Sequence, residues 1–102
     1  MSGVAPVRFR VAASHPALAG HFPGYPVVPG VVVLEHVVAA AQRALAPGAS
    51  LLGMPQAKFT TPLLPEVDAD IELVRAGDQV RFVVRAGDAT IAQGTLAFGE
   101  RT

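Results

Sequence analysis

The sequence predicts an α+β fold in which an antiparallel sheet curls around one long apolar helix. Residues 30–46 carry a helical pattern of valine, alanine and leucine, which Pro47-Gly48 ends. After residue 56 the apolar residues recur every second position, which is the period of a half-buried strand. Gly77-Asp78 and Gly87-Asp88 are turn formers between such segments, so we expect a meander of hairpins. One buried helix followed by antiparallel strands gives a layered α+β architecture.

The elements before and after this helix follow from the same patterns. Val7–Val11 alternates apolar residues with arginine, in the order Val-Arg-Phe-Arg-Val, and predicts a half-buried first strand. Ser14 can cap a short turn that ends at Gly20, and residues 21–30, with three prolines and two glycines, predict an ordered extended loop. Four further strands are expected at residues 56–64, 68–76, 79–86 and 90–98.

The predicted helix has few polar residues. They are Glu35, His36, Gln42 and Arg43, two pairs seven positions apart that share one narrow stripe. A helix that is apolar on most sides is expected to be buried on most sides. Of the 102 residues, 51% are hydrophobic and only 16% are charged, and a domain of this size buries a modest share of its surface alone. We therefore expect an oligomer that hides part of this surface.

Composition excludes several classes of function. Eight basic and eight acidic residues cancel, so nucleic acid is not an expected partner. The lack of cysteine excludes disulfides and fits a reducing cytoplasm. No segment has the apolar length of a signal peptide or of a membrane span. We expect one cytoplasmic domain over residues 1–102, with neither a metal nor a cofactor.

His21 and Glu35 are the candidate catalytic residues. His21 precedes the helix, and Glu35 lies in its second turn among valines. In an apolar cleft a carboxyl group tends to keep its proton while imidazole titrates near neutrality, so such a pair can act as general acid and general base. The helix start at Gly30 presents N–H groups suited to an oxygen that gains negative charge. This set suits proton abstraction next to a carbonyl, although a buried His–Glu pair can also be structural.

The string "GHFPGYPVVPGVVVLE" at residues 20–35 resembles the signature of the 3-hydroxyacyl-acyl-carrier-protein dehydratases, the FabZ/FabA group of the hotdog fold. That pattern is G-H-F-P-G-x-P-x-x-P-G-x-x-x-x-E, and every fixed position occurs here without a gap. "KFTTPLLP" at residues 58–65 is similar to another strand of the family. The resemblance implies a helix wrapped by an antiparallel sheet, with two subunits pairing into one continuous sheet.

The resemblance also implies a role for each matched position. His21 would abstract the α-proton of a 3-hydroxyacyl thioester, and Glu35 would protonate or orient the leaving hydroxyl, giving a trans-2-enoyl thioester. The backbone N–H of Gly30 would polarise the thioester carbonyl, and the acyl chain would lie in an apolar tunnel at the dimer interface. Tyr25, at a variable position of the motif, would either line the mouth of this tunnel or only cover the loop. The histidine and the carboxylate of one site would come from opposite subunits of a homodimer. The partner would be an acyl carrier protein bearing the substrate.

Departures from the family leave the pathway and the function partly open. Ala39 stands where the fatty-acid enzymes usually have glutamine, and their longer N-terminal segment is missing here. Such short relatives resemble dehydratases of aryl-polyene and polyketide-like clusters, so membrane fatty-acid synthesis is one of several expected pathways. Two alternatives are a hotdog acyl thioesterase, against which His21 argues, and a non-catalytic acyl-binding subunit that pairs with an active homologue.

The sequence also allows interpretations of His36 and of four basic residues. His36 points about 100° away from Glu35 around the helix axis, so it is expected to meet the sheet edge or solvent. Arg8, Arg10, Arg43 and Lys58 can form a basic rim for an acidic carrier protein, although scattered surface charges are the default interpretation.

Overall fold

The structure, a computed structural model, describes residues 2–3, 5–18 and 27–100. This part of the chain contains six strands, one α-helix and a short 3-10 helix at Pro16–Leu18. In chain order the main elements are β1 (Ser2–Gly3), β2 (Val7–Phe9), α1 (Gly30–Ala44), β3 (Ala49–Phe59), β4 (Ala69–Ala76), β5 (Gln79–Ala86) and β6 (Ala89–Glu100). The predicted helix and the last three predicted strands are confirmed to within two residues at each end. Over the described residues, no helix has the length and apolar character needed to cross a membrane.

All six strands belong to one antiparallel sheet. β4, β5 and β6 are neighbours joined by hairpins at Gly77 and Gly87, whose φ angles of +64° and +60° glycine adopts without steric cost. β3 lies beyond β6 at one edge, and β1 and β2 both pair with β4, at different points along its length. The predicted meander is confirmed for β4 to β6, whereas β3 crosses over to pair with β6.

Two predicted strands had the wrong bounds. The strand expected at 56–64 occupies Ala49–Phe59, because Gly53 and Pro55 hide its first half in the sequence pattern. The register between β3 and β6 shifts on both sides of Gly53, so the strand accommodates these residues in an irregular, bulged stretch. The chain leaves the sheet after Phe59, so residues 60–64 are not part of the strand. Pro62 lies in this segment and has no N–H to donate to a neighbouring strand. The first predicted strand ends at Phe9 rather than Val11.

One side of α1 packs against the sheet. Its buried residues are Val32, Val33, Val37, Ala40 and Ala41, whose spacing of three and four places them on one face. They share the core with the buried sheet residues Ile71, Leu73, Val80, Phe82, Val84 and Leu96. On the opposite side Val31 is 65% exposed. The expected burial of the helix on most sides is wrong for a single chain, because one sheet covers only one side of a cylinder.

Gly94 of β6 allows β3 to approach closely, and its replacement by alanine is expected to destabilise the fold. A Cβ at position 94 would lie 2.2 Å from the carbonyl oxygen of Gln56 and 2.9 Å from Cα of Ala57, backbone atoms that cannot move aside without distorting the sheet. We expect Gly94→Ala to lower the free energy of unfolding by about 1–3 kcal/mol, measured by urea titration at fixed protein concentration. Gly53→Ala is the matched control, since nothing lies within 4 Å of its Cβ position. Equal stability of the two variants would contradict the close approach.

Candidate active site

The N-terminus of α1 at Gly30 lies at the predicted site. Gly30 follows Pro29, whose φ of −59° and ψ of 143° are extended and whose side chain makes no capping hydrogen bond. The carbonyl of Pro29 accepts hydrogen bonds from the N–H groups of Val32 (3.0 Å) and Val33 (3.3 Å). The first turn consists of glycine and three valines, so its side chains do not neutralise the positive end of the helix dipole. This end can stabilise an oxygen that gains negative charge.

An apolar pocket of about 450 Å³ opens beside this helix end. Its floor is formed by aliphatic side chains that are all buried: Val28, Val33, Leu63 and Ile91. Gly30 and Phe59 lie at its rim with residues 60–62. The N–H of Val28 donates to the carbonyl of Leu63 at 2.8 Å and ties the segment before the helix to the loop after β3. The pocket therefore offers an apolar surface that begins at the helix N-terminus, as an acyl thioester requires.

Glu35 lies on the open side of α1 and is exposed in the single chain. It borders a shallow apolar surface formed by Val31, Leu34, Val38, Ala39, Gln42 and Met54. Its carboxylate neither accepts a hydrogen bond from, nor forms an ion pair with, any described residue. The expectation of a buried carboxyl is thus wrong within one chain, because the sheet that covers α1 lies on the other side. The carboxylate is nevertheless surrounded by apolar side chains, so a partner that covered this face of α1 would bury it.

Two of the four predicted site residues lie outside the described residues. His21 and Tyr25 belong to residues 19–26, so their roles stay predictions from the sequence motif. Gly30 and Glu35 are described, on the first and second turns of α1. The structure brings Gly30 together with Phe59, a residue to which the sequence pattern assigned no role. The only signal for Phe59 in the sequence is an aromatic residue directly before the T-T-P-L-L-P segment.

The structure also describes His36 and two of the basic residues predicted to form a rim. His36 stacks on Phe9 of the edge strand β2, with ring centroids 4.5 Å apart and planes 16° from parallel, which confirms the expected contact with the sheet edge. Arg8 donates to both carboxylate oxygens of Asp70; this hydrogen bonding lowers the pKa of Asp70 and raises that of Arg8. Arg10 pairs with Asp68 at 2.9 Å. Arg8 and Arg10 are thus paired with carboxylates of their own chain, and the basic rim of Arg8, Arg10, Arg43 and Lys58 stays a prediction.

Solved structures with the same architecture identify the fold. The dehydratase heterocomplex ApeI:P from Xenorhabdus doucetiae matches with a TM-score of 0.81, covering 95% of this chain and 96% of that chain at 24% identity. The (R)-hydratase from A. caviae involved in PHA biosynthesis matches with a TM-score of 0.77 at 16% identity, covering 99% and 97%. The fluoroacetyl-CoA thioesterase FlK matches with a TM-score of 0.64 at 18% identity, covering 98% and 88%. The protein has the hotdog fold, which confirms the predicted fold class.

Sequence similarity then identifies the family within this fold. The ApeI-like family, described as ApeI dehydratase, matches residues 2–95, and the chain belongs to this dehydratase family. The 3-hydroxyacyl-[acyl-carrier-protein] dehydratase FabZ of Chlamydia trachomatis is 33% identical over 103 residues, 87% of this chain and 67% of the relative. The FabZ of Thermus thermophilus is 37% identical over 99 residues, 89% and 66%. The chain thus spans about two thirds of the length of these relatives. The resemblance read from residues 20–35 is confirmed.

Proposed function

We propose that this protein removes water from a 3-hydroxyacyl thioester, carried on an acyl carrier protein, to give the trans-2-enoyl thioester. The observation that carries the proposal is the uncapped N-terminus of α1 at Gly30, which opens onto an aliphatic pocket. A thioester carbonyl at this helix end would be polarised by the N–H of Gly30, and this would acidify the neighbouring C2–H. Membership of a dehydratase family and similarity to named 3-hydroxyacyl-carrier-protein dehydratases support the same reaction.

The proposed mechanism divides the elimination between two side chains. His21 takes the proton from C2 of the substrate, and the electron pair of that C–H bond forms the C2–C3 double bond. The C3–O bond breaks, and Glu35 supplies the proton with which the hydroxyl leaves as water. Tyr25 would stand at the mouth of the acyl pocket. No electron acceptor is needed, since the substrate is neither oxidised nor reduced.

A second copy of the chain is the proposed cover for the open face of α1. Val31 on the helix and Leu52 on β3 are 65% and 70% exposed, and β3 lies at one edge of the sheet, beyond β6. Pairing two such edges would extend the sheet and bury apolar surface from both chains. We propose a homodimer in which His21 of one subunit meets Glu35 of the other. A homologue in place of the second copy, or assembly beyond a dimer, are the alternatives that mass measurement would reveal.

The proposed setting is acyl-chain synthesis in the cytoplasm by one domain over residues 1–102. Both a fatty-acid pathway and a polyene or polyketide pathway supply 3-hydroxyacyl groups on carrier proteins, and the described pocket fits either because its floor is purely aliphatic. The absence of cysteine supports a reducing compartment.

A panel of carrier-protein thioesters tests the function directly. The purified protein is incubated with 3-hydroxyacyl thioesters of different chain lengths and with the corresponding saturated acyl thioesters, and the products are identified by mass spectrometry. Loss of water from the 3-hydroxyacyl members alone is the expected result. Release of free carrier thiol from the saturated members would instead identify a thioesterase. No change in any member would indicate a non-catalytic acyl-binding subunit and would overturn the proposal.

A further inference from the structure

The contact between Phe59 and Gly30 suggests how the pocket selects its acyl group. Phe59 is the last residue of β3, and its ring points directly at the first residue of α1. A Cβ at position 30 would lie 3.0 Å from Cζ of Phe59 and 3.3 Å from both Cε atoms. A side chain at position 30 would therefore press on the ring edge, and the ring would have to shift by a few tenths of an ångström to admit it. Gly30 and Phe59 form one packed unit at the pocket rim.

The ring also walls the pocket where the reacting end of the substrate would lie. The buried floor residues Val28, Val33 and Ile91 lie deeper than the rim. If the thioester carbonyl is held by the N–H of Gly30, the acyl tail extends over this floor. The carbons next to the carbonyl then remain at the rim, within reach of the Phe59 ring. Phe59 is 46% exposed in the single chain, so its ring stands at the rim instead of filling the core.

We propose that Phe59 is a specificity-determining residue, which restricts the substrate to 3-hydroxyacyl thioesters that are unbranched at C2. The inference rests on the proposed function, because it uses the carbonyl position at Gly30. A methyl group at C2 would compete with the ring for the space at the rim, whereas tail length would be decided by the aliphatic floor. An added methyl group is typically discriminated by about 10-fold to 200-fold in an apolar pocket. We therefore expect the ring to favour unbranched over 2-methyl substrates by a factor in this range.

The test compares matched substrates with and without a C2 methyl group. The ratio of kcat/KM for the unbranched over the 2-methyl 3-hydroxyacyl thioester is measured for the natural protein, Phe59→Leu and Phe59→Ala. We expect this ratio to fall by at least about 10-fold in Phe59→Ala and by less in Phe59→Leu, mainly through faster turnover of the branched substrate. Leu64→Ala is the control, because Leu64 is similarly exposed at 49% but does not line the pocket. It should leave the ratio unchanged.

A binding measurement separates this proposal from the proposed function. Unreactive amide analogues of the two substrates are titrated into the same proteins, and the ratio of their Kd values is compared. If the natural protein dehydrates nothing but Phe59→Ala still equalises the two Kd values, the function is wrong and the role of Phe59 stands. If Phe59→Ala and Phe59→Leu keep both the native ratio and native thermal unfolding, the proposal for Phe59 is overturned. If Phe59→Ala does not fold, the kcat/KM and Kd ratios of Phe59→Leu decide whether the proposal for Phe59 holds.

Discussion

Glu35→Gln is expected to fold normally and to lose at least about a hundredfold of its dehydration rate. An amide has nearly the same shape as the carboxylate but cannot deliver a proton to the leaving hydroxyl, and positioned general acids contribute about 10²–10⁴-fold. Stability should change little, because Glu35 is exposed and makes no ion pair within the described chain. The measurements are kcat on a 3-hydroxyacyl carrier-protein thioester and the thermal unfolding midpoint of the same samples.

A second carboxylate serves as the control for this variant. Glu72 accepts a hydrogen bond from Arg85 at 2.9 Å on a sheet strand, so Glu72→Gln makes the same chemical change away from the helix. We expect near-native activity from it. If Glu35→Gln turned over as fast as Glu72→Gln, the carboxylate of Glu35 would have no part in the chemistry. If it unfolded instead, Glu35 would belong to a structural contact of the assembled protein.

Mixing two inactive variants is expected to restore activity, provided that the subunits exchange. His21→Ala and Glu35→Ala each remove one member of every site. When equal amounts recombine at random in a two-fold symmetric dimer, about half of the dimers are mixed. Each mixed dimer has one site with both residues intact and one site with neither. About a quarter of all sites should therefore become active, measured as dehydration rate before and after exchange.

A second mixture tests the same arrangement without requiring that each single variant be completely inactive. The double variant, His21→Ala with Glu35→Ala, is mixed with an equal amount of the natural protein. Shared sites predict that exchange lowers the active sites from about half to about a quarter of the total. Sites built within single chains predict no change on exchange in either mixture. That second outcome, with exchange demonstrated by mass spectrometry of tagged subunits, would refute the shared arrangement.

Local sequence patterns suffice to predict the helix and the hairpins of this fold. The bounds of α1 followed from an apolar run that ends at Pro47-Gly48, and the hairpins at Gly77 and Gly87 followed from their turn residues. Periodicity failed at β3, where Pro55 and Gly53 look like strand breakers. There the strand is held by its pairing with β6, which lies some forty residues later in the chain. Long-range pairing of this kind leaves no local signal, so a pattern of neighbouring residues could not predict it.

For the site, the residue types and the dehydratase family could be predicted from the sequence, because the motif at residues 20–35 carries both in one short segment. Which side of α1 faces the core depends on the packing of the whole chain, and this packing leaves Glu35 on the open side. It also placed Phe59 against Gly30, although 29 positions separate them in the chain. Helical periodicity could not decide the first point, because α1 is apolar on both sides and either side could pack on a sheet. The side that is buried depends on where β3 and β4 to β6 close over the helix, which is a property of the whole packed chain.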